Sequence, residues 1–417
     1  MRNKGEVLVS SESKGQMWNT GVWDSETGTL LTSYKGGSTL NRTLSMVGTD
    51  YMVSAHPDKP LLNVWQINRN EQMSLRMFTP GKCSALTCSP RGSYLIAAVE
   101  EKISVWQVST GRLWRVLSSH YQPVTCLQFT EDGSYFVSAG GDGQVLCWSI
   151  AMVVSRRNLP GVKVSQVGKP EPKWSWRDHA LPVTDIHITP GGVNSKVASV
   201  SKDQTCKLFC IVSGQLLLSI SYPVPLGSVT MDATCDNIYT GGENGSIYII
   251  SLNNPPRSVS ISSESQGSTV LKGHTDTVSN LSLSLDGSHL SSGSLDTNVR
   301  IWHVKSGQCV RVLEHKGAIT SLKYMIPPPG MLNTDQWSPG RKLVPLQKGF
   351  DEKDSFVSNV LSKETKPFER FEKEEIEVDG ETATEKKVEN TERIQELMDI
   401  NNQLYKYSVK HILNQKT

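Results

Sequence analysis

The chain has 417 residues, 37% of them hydrophobic and 20% charged, enough to bury a core without metal or disulfide staples. A formal net charge of +2 excludes a global basic field that would hold nucleic acid by phosphate neutralisation alone, so any RNA contact needs a local patch. No run approaches the roughly 18 apolar residues of a membrane span, the N-terminus lacks the apolar run of a signal peptide, and eight scattered cysteines without a CxxC argue for a reducing compartment and against a metal or cofactor.

In chain order, "EVLVSS", "MWNTGVW" and "TLLTSY" read as three strands, the second ending at Trp23. The next units end a strand at Trp65 in "KPLLNVW", at Trp106 in "EEKISVW" and at Trp148 in "AGGDGQVLCW". Later copies end at Phe209 in "VSKDQTCKLF", Ile250 in "GGENGSIYII" and Trp302 in "GSLDTNVRIW". Successive spacings of these anchors are 42, 41, 42, 61, 41 and 52 residues. Four of them match the period of about 40 to 45 expected of propeller blades.

Within the units the turns "SPRG" (89–92), "TEDG" (130–133), "TPGG" (189–192) and "SLDG" (284–287) separate two short alternating runs. A further run such as "GQLLLSIS" or "GQCVRVLE" follows the anchor. Four strands per unit and seven units predict an all-β, seven-bladed β-propeller over residues 1–326. The N-terminal unit lacks a first strand, and "HKGAITSLKYM" begins another unit before stopping at Pro327. Residues 318–325 are therefore expected to close the N-terminal blade, leaving no long open edge.

The two long spacings are insertions, 151–175 and 253–269. The first is basic and runs through Trp174 to Trp176 just beyond it; with Arg156, Arg157 and Lys163 these form a candidate partner or RNA loop. The competing reading is that the two tryptophans begin a strand of the fifth blade. The second insertion is Ser-rich and expected to be mobile. Residues 327–390 read as a Pro-rich, then charged linker, mostly disordered, since 341–393 hold 11 basic and 14 acidic groups. Residues 391–413 read as a short amphipathic, coiled-coil-like helix. Leu397, Ile400, Leu404 and Tyr407 fall at a and d positions, with Ile394 one turn earlier, a seam short enough to require a partner, such as a second copy.

The units resemble WD repeats. That resemblance implies one hydrogen-bonded network per unit, joining a loop His, a strand Ser or Thr, a turn Asp and the anchor Trp. The matching residues are His274, Ser292, Asp296 and Trp302; then His120, Ser138, Asp142 and Trp148; then His179, Ser199 and Asp203, with Phe209 in place of the Trp. A Ser/His/Asp set invites a hydrolase reading. Recurrence at the blade period favours architecture, so no catalytic residue and no metal ligand is assigned. His56, His187, His289, His303 and His411 stand isolated.

The layout as a whole resembles the WD repeat-containing protein 18 family, the WD subunits of rixosome-type ribosome-maturation complexes. The likeness rests on "SSHYQPVTCLQFTEDGSYFVSAGGDG", "DHALPVTDIH", "LLLSISYPVPLGSVTMD" and "INNQLYKYSVKHI", and fades across 335–390. It implies a non-enzymatic scaffold in the nucleus, in nucleolus and nucleoplasm with some in the cytoplasm. The implied role is removal of a pre-rRNA internal transcribed spacer and maturation of the large ribosomal subunit. The partners it implies are a PELP-type helical-repeat scaffold protein, the other rixosome-type subunits, pre-large-subunit particles and a second copy through the C-terminal helix. It leaves direct RNA contact open. A ubiquitin-ligase substrate receptor is the alternative. Such propellers carry Trp-Asp-x-Arg, whereas the anchors here read "WDSE", "WQIN", "WQVS", "WSIA" and "WHVK".

Overall fold

The computed structural model describes residues 5–15, 18–155, 170–252, 258–264, 267–332, 340 and 343–348. Among these, the strands form seven sheets, the blades of a β-propeller. Blade 1 contains β1 (Val7–Glu12), β2 (Thr20–Asp24) and β3 (Leu30–Tyr34). Blade 2 is β4 (Ser45–Val47), β5 (Tyr51–Ala55), β6 (Leu61–Gln66) and β7 (Met77–Phe78). Blade 3 is β8 (Cys83–Cys88), β9 (Tyr94–Val99), β10 (Lys102–Gln107) and β11 (Leu113–Ser118). Blade 4 is β12 (Val124–Phe129), β13 (Tyr135–Gly140), β14 (Val145–Ser149) and, beyond the short helix α1 (Ile150–Val154), β15 (Trp174–Trp176).

Blade 5 is β16 (Val183–Ile188), β17 (Lys196–Ser201), β18 (Thr205–Cys210) and β19 (Leu216–Ser221). Blade 6 begins with β20 (Leu226–Met231), β21 (Asn237–Gly242) and β22 (Ser246–Ser251). The chain then leaves it: β23 (Ser260–Ser262) pairs parallel with β19 as a fifth strand of blade 5 before β24 (Thr269–Lys272) returns to β22. This corrects the expectation of a mobile second insertion over its described part. The unpaired edge of β19 offers backbone partners that a Ser-rich segment can satisfy. Blade 7 is β25 (Val278–Leu283), β26 (His289–Ser294), β27 (Asn298–His303) and β28 (Gln308–Glu314).

The last strand, β29 (Ile319–Met325), pairs antiparallel with β1, with Val7 opposite Met325 and Ser10 opposite Leu322. Blade 1 is thus built from both ends of the propeller, in the order β29-β1-β2-β3. The core lies between neighbouring blades. Trp106 packs with Leu86 and Val64 between blades 2 and 3, and Trp148 with Ile96 and Val105 between blades 3 and 4. Each fully buried aliphatic or aromatic side chain of this kind contributes about 1.5–3 kcal/mol.

The tight turns between the second and third strands set the register. In blades 3 to 7 each places one residue in the left-handed region: Glu100, Gly143, Gln204, Gly245 and Thr297, with φ between 55° and 76°. At Gly143 a Cβ would also lie 2.5 Å from the His179 carbonyl oxygen, so the turn of blade 4 seats directly on the loop entering blade 5. Beyond Pro327 the chain does not leave the propeller at once. Met331 is buried between blades 1 and 2, and Leu343 and Leu346 between blades 2 and 3. The expectation of a linker starting at 327 is corrected there, because three apolar side chains find apolar grooves. Residues 349–390 and the helix expected over 391–413 lie outside the described residues.

Candidate functional site

Blade 7 brings together His274, Ser292, Asp296 and Trp302. His274 Nδ1 lies 2.8 Å from Asp296 Oδ2, and its Nε2 lies 2.7 Å from Ser292 Oγ. The Trp302 indole N–H donates to the same Ser292 Oγ at 2.9 Å. The proton inventory follows from these contacts. Nδ1–H donates to the carboxylate, the bare Nε2 accepts the Ser292 hydroxyl proton, and the hydroxyl oxygen accepts the indole N–H. Burial pushes the His274 imidazole below its ordinary pKa, against the pull of Asp296. Burial would raise Asp296, but N–H groups of Asn298 and Thr275, with His274, hold it below the usual carboxylate range. The carboxylate also accepts from Thr275 N and Asn298 N, so it fixes the entering loop and its own turn together.

Blade 4 repeats the arrangement with His120, Ser138, Asp142 and Trp148. Ser138 Oγ lies 2.9 Å from His120 Nε2 and accepts from Trp148 at 3.0 Å. In blade 5, His179 reaches Asp203 at 3.0 Å and Ser199 at 2.7 Å. Phe209 supplies no indole donor there; its ring stacks on Trp176 at 4.6 Å instead. Ser138, Ser199 and Ser292 are fully buried and each hydroxyl is already engaged by its imidazole, so none presents a nucleophile to a substrate.

A further network escaped the sequence reading. Ser10 Oγ lies 2.8 Å from His315 Nε2 and accepts from the Trp23 indole at 2.7 Å. No Asp completes it. The Leu313 carbonyl accepts from His315 Nδ1, and Glu12 accepts from the loop amides Lys316 N and Gly317 N. Two groups thus divide the work of Asp296. The signal was present: "EHKGAITSL" aligns with "GHTDTVSNL", but its Ser and Trp partners lie at the other end of the chain.

Trp65 and Trp106 have no such serine. The Trp65 indole donates to the Lys35 carbonyl, and that of Trp106 donates to the Gln347 carbonyl at 2.8 Å. The segment 343–348 forms a strap over blades 2 and 3. Gln347 N donates to the Gly111 carbonyl, the Gln347 side-chain oxygen accepts from Leu113 N, and Lys348 Nζ sits 4.7 Å from the Phe78 ring centroid. Gly111 has φ +68°, and a Cβ there would lie 2.2 Å from the Pro345 carbonyl oxygen, so glycine is required for the strap to seat.

The candidate partner loop is corrected in part. Trp174 and Trp176 pair with β14 as the outer strand of blade 4, not as the start of blade 5. Their indoles donate to Ile211 and Gly214 carbonyls, and Trp176 is buried. Both thus hold places in the sheet, Trp174 remaining partly exposed at its edge. Arg156, Arg157 and Lys163 lie outside the described residues, as do Ile394, Leu397, Ile400, Leu404 and Tyr407. The loops at the network end of blades 4, 5 and 7 expose Tyr121, Leu181 and Leu295.

The axis is closed on one side by Arg42, which no sequence pattern marked. It lies just before β4 with φ +58°, and its amide donates to the Thr320 carbonyl of β29. Its guanidinium donates to the carbonyls of Thr184, Gly227 and Ser279, one each from blades 5, 6 and 7, and pairs with Asp185 at 3.4 Å. Burial raises the Asp185 carboxyl, and the guanidinium with two backbone N–H groups opposes the rise. Beside this staple is an axial cavity of about 250 Å³ whose lining includes Gln128, His187, Thr230, Ser282 and Lys323.

The family model described as "WD domain, G-beta repeat" matches residues 111–149 and 265–303, which contain the networks of blades 4 and 7. "WD repeat-containing protein 18" of Rattus norvegicus is 42% identical over 79% of this chain and 75% of its own length. The protein of that name from Danio rerio is 35% identical over 97% of both chains. "Pre-rRNA-processing protein pro-1" of Caenorhabditis briggsae is 28% identical over 77% of this chain and 60% of its own.

Proposed function

The chain belongs to the WD repeat-containing protein 18 family, and from that membership we propose that it is a non-catalytic scaffold subunit of a nuclear complex. The complex acts in pre-rRNA internal transcribed spacer processing and maturation of the large ribosomal subunit. The observation that carries this reading is the family likeness along 97% of the chain, joined by the likeness to a relative named for pre-rRNA processing. The geometry supports the scaffold half. The groups that resemble a hydrolytic triad are consumed in holding turns, while Tyr121, Leu181 and Leu295 leave apolar contacts on the loops. The partners are a PELP-type helical-repeat protein and other rixosome-type subunits on pre-large-subunit particles, with a second copy joined through 391–413.

Nuclease-treated affinity purification of the full-length chain from nuclear extract, with mass spectrometry, tests the reading. Stoichiometric helical-repeat scaffold and ribosome-maturation factors are expected, and depletion should accumulate spacer-containing pre-rRNA. Recovery of ubiquitin-ligase subunits with unchanged pre-rRNA would replace the function and leave the fold. Self-association is tested by the solution mass of the full chain against one ending at Asn390. Equal oligomeric states would remove the tail from the assembly.

A further inference from the structure

The fifth residue of each innermost strand in six successive blades lies at one level of the propeller. From blade 3 round to blade 1 these are Thr87, Gln128, His187, Thr230, Ser282 and Lys323. All but Thr87 line the axial cavity. The level holds one full positive charge, one imidazole, an amide and hydroxyls, and no carboxylate. The acid in the cavity wall, Asp185, lies two residues earlier on β16 and is committed to Arg42 and to the amides of Ile186 and Val229.

We propose that this cavity is a binding site for a small tetrahedral oxyanion of the phosphate type, with Lys323 as its charge and His187, Gln128, Thr230 and Ser282 as hydrogen-bonding walls. Two observations point to an anion. Lys323 has no hydrogen-bond or ion-pair partner among the described residues, and its side chain is open to the water of the cavity. Lys323 and His187 are both pushed towards their neutral forms, by burial first and, for His187, also by the Lys323 charge; the site is short of negative charge. A bound oxyanion supplies it and accepts from an ammonium, hydroxyls and an amide N–H at once, the charge-assisted contacts that phosphate favours. A cavity of about 250 Å³ is large enough for one such ion with several waters, each of which occupies about 30 Å³.

The test is isothermal titration of the full-length chain with inorganic phosphate, chloride being adjusted to constant ionic strength. Saturable binding of one phosphate per chain is expected. Lys323→Met should weaken it by about tenfold or more, the loss of one charge-assisted contact. Lys323→Arg should keep it, and Lys202→Met, which removes an exposed partner of Glu243, should leave it unchanged. Folding failure is separable from loss of the site. Lys323 is exposed and makes no protein contact of its own to lose, so the melting temperature of Lys323→Met in phosphate-free buffer should stay close to that of the parent. No saturable heat with the parent protein, meaning water alone fills the cavity, would overturn the proposal. Equal phosphate affinity in Lys323→Met would do the same, placing the bound ion elsewhere.

Discussion

Replacing Arg42 with Met removes the ion pair with Asp185 together with the three carbonyl contacts of the axial staple, and only the ion-pair part depends on pH. Methionine keeps most of the side-chain length and leaves the left-handed backbone in place, so the strain of φ +58° cancels between parent and variant. Asp185, 13% exposed at its side chain, then loses its counter-ion. Breaking a buried pair by removing one partner costs about 3–5 kcal/mol. The amides of Ile186 and Val229 still donate to the carboxylate, at 2.9 and 3.0 Å, which argues for the lower end, about 3 kcal/mol. The sign of the pH dependence follows from burial. Already raised in the parent, the Asp185 carboxyl rises further without the guanidinium, above the value of about 3.9 it has when unfolded. The folded variant then holds a proton that the unfolded chain releases. Its stability falls as pH climbs through that window, by at most about 1.4 kcal/mol per unit, and levels off above the folded pKa. Urea denaturation at pH 5 and pH 8 reads this directly. The gap between parent and Arg42→Met should widen from pH 5 to pH 8 by up to about 3 kcal/mol, on top of a pH-independent loss of the three carbonyl contacts. Asp185→Asn added to the variant should recover most of the widening, a coupling of about 2 kcal/mol. A gap independent of pH, or a coupling below about 0.5 kcal/mol, would refute an ion-pair role for the staple.

Three other outcomes follow from the same geometry. Leu346→Ala should cost about 2 kcal/mol or slightly more, limited by detachment of the strap, and should speed solvent exchange of the Trp106 indole proton but not that of Trp302; unchanged exchange would mean that the Gln347 carbonyl does not hold Trp106. Thr297→Gly should stabilise the chain by about 1 kcal/mol in thermal or urea unfolding, because a β-branched residue sits at φ +71° where Gly143 and Gly245 stand in sister blades; destabilisation would show that the Thr297 side chain contributes more than its strain. Burial pushes the His315 imidazole down to about 4, so the folded state binds fewer protons than the unfolded one below pH 6.5. Stability should be full above about pH 6.5 and fall by about 3 kcal/mol on the way to pH 4, and His315→Gln should flatten that limb; an unchanged limb would assign the acid loss to other groups.

The propeller was legible because each blade writes its own contacts into about forty consecutive residues. Trp148 and its partners His120, Ser138 and Asp142 lie in one such window, so recurrence revealed them as architecture before any distance was known. For the tryptophans of the first insertion two readings stood open, a recognition loop or the start of a strand, and the structure puts them in a strand, though of blade 4 rather than blade 5. "WSW" is too short to declare its blade by alternation, and its basic flank points equally to recognition. The strap was hidden by the charged sequence around it, since Leu343 and Leu346 make no pattern until a groove with a glycine at position 111 receives them.

What recurrence cannot carry is any contact made once per ring. Ser10 and His315 meet only because β29 closes on β1, and the missing aspartate removed the last local cue. Arg42 has no counterpart in the other repeats, because a propeller has one axis and room for one guanidinium in it. The level of Thr87, Gln128, His187, Thr230, Ser282 and Lys323 is periodic in position but not in residue type, so it has no sequence signature. Repeats fix the strand positions that face the axis, and the residues at those positions are then free to differ from blade to blade. The axis is therefore where a chain built for structural recurrence has freedom to place specific chemistry, as it does in setting Lys323 among neutral polar side chains in one cavity.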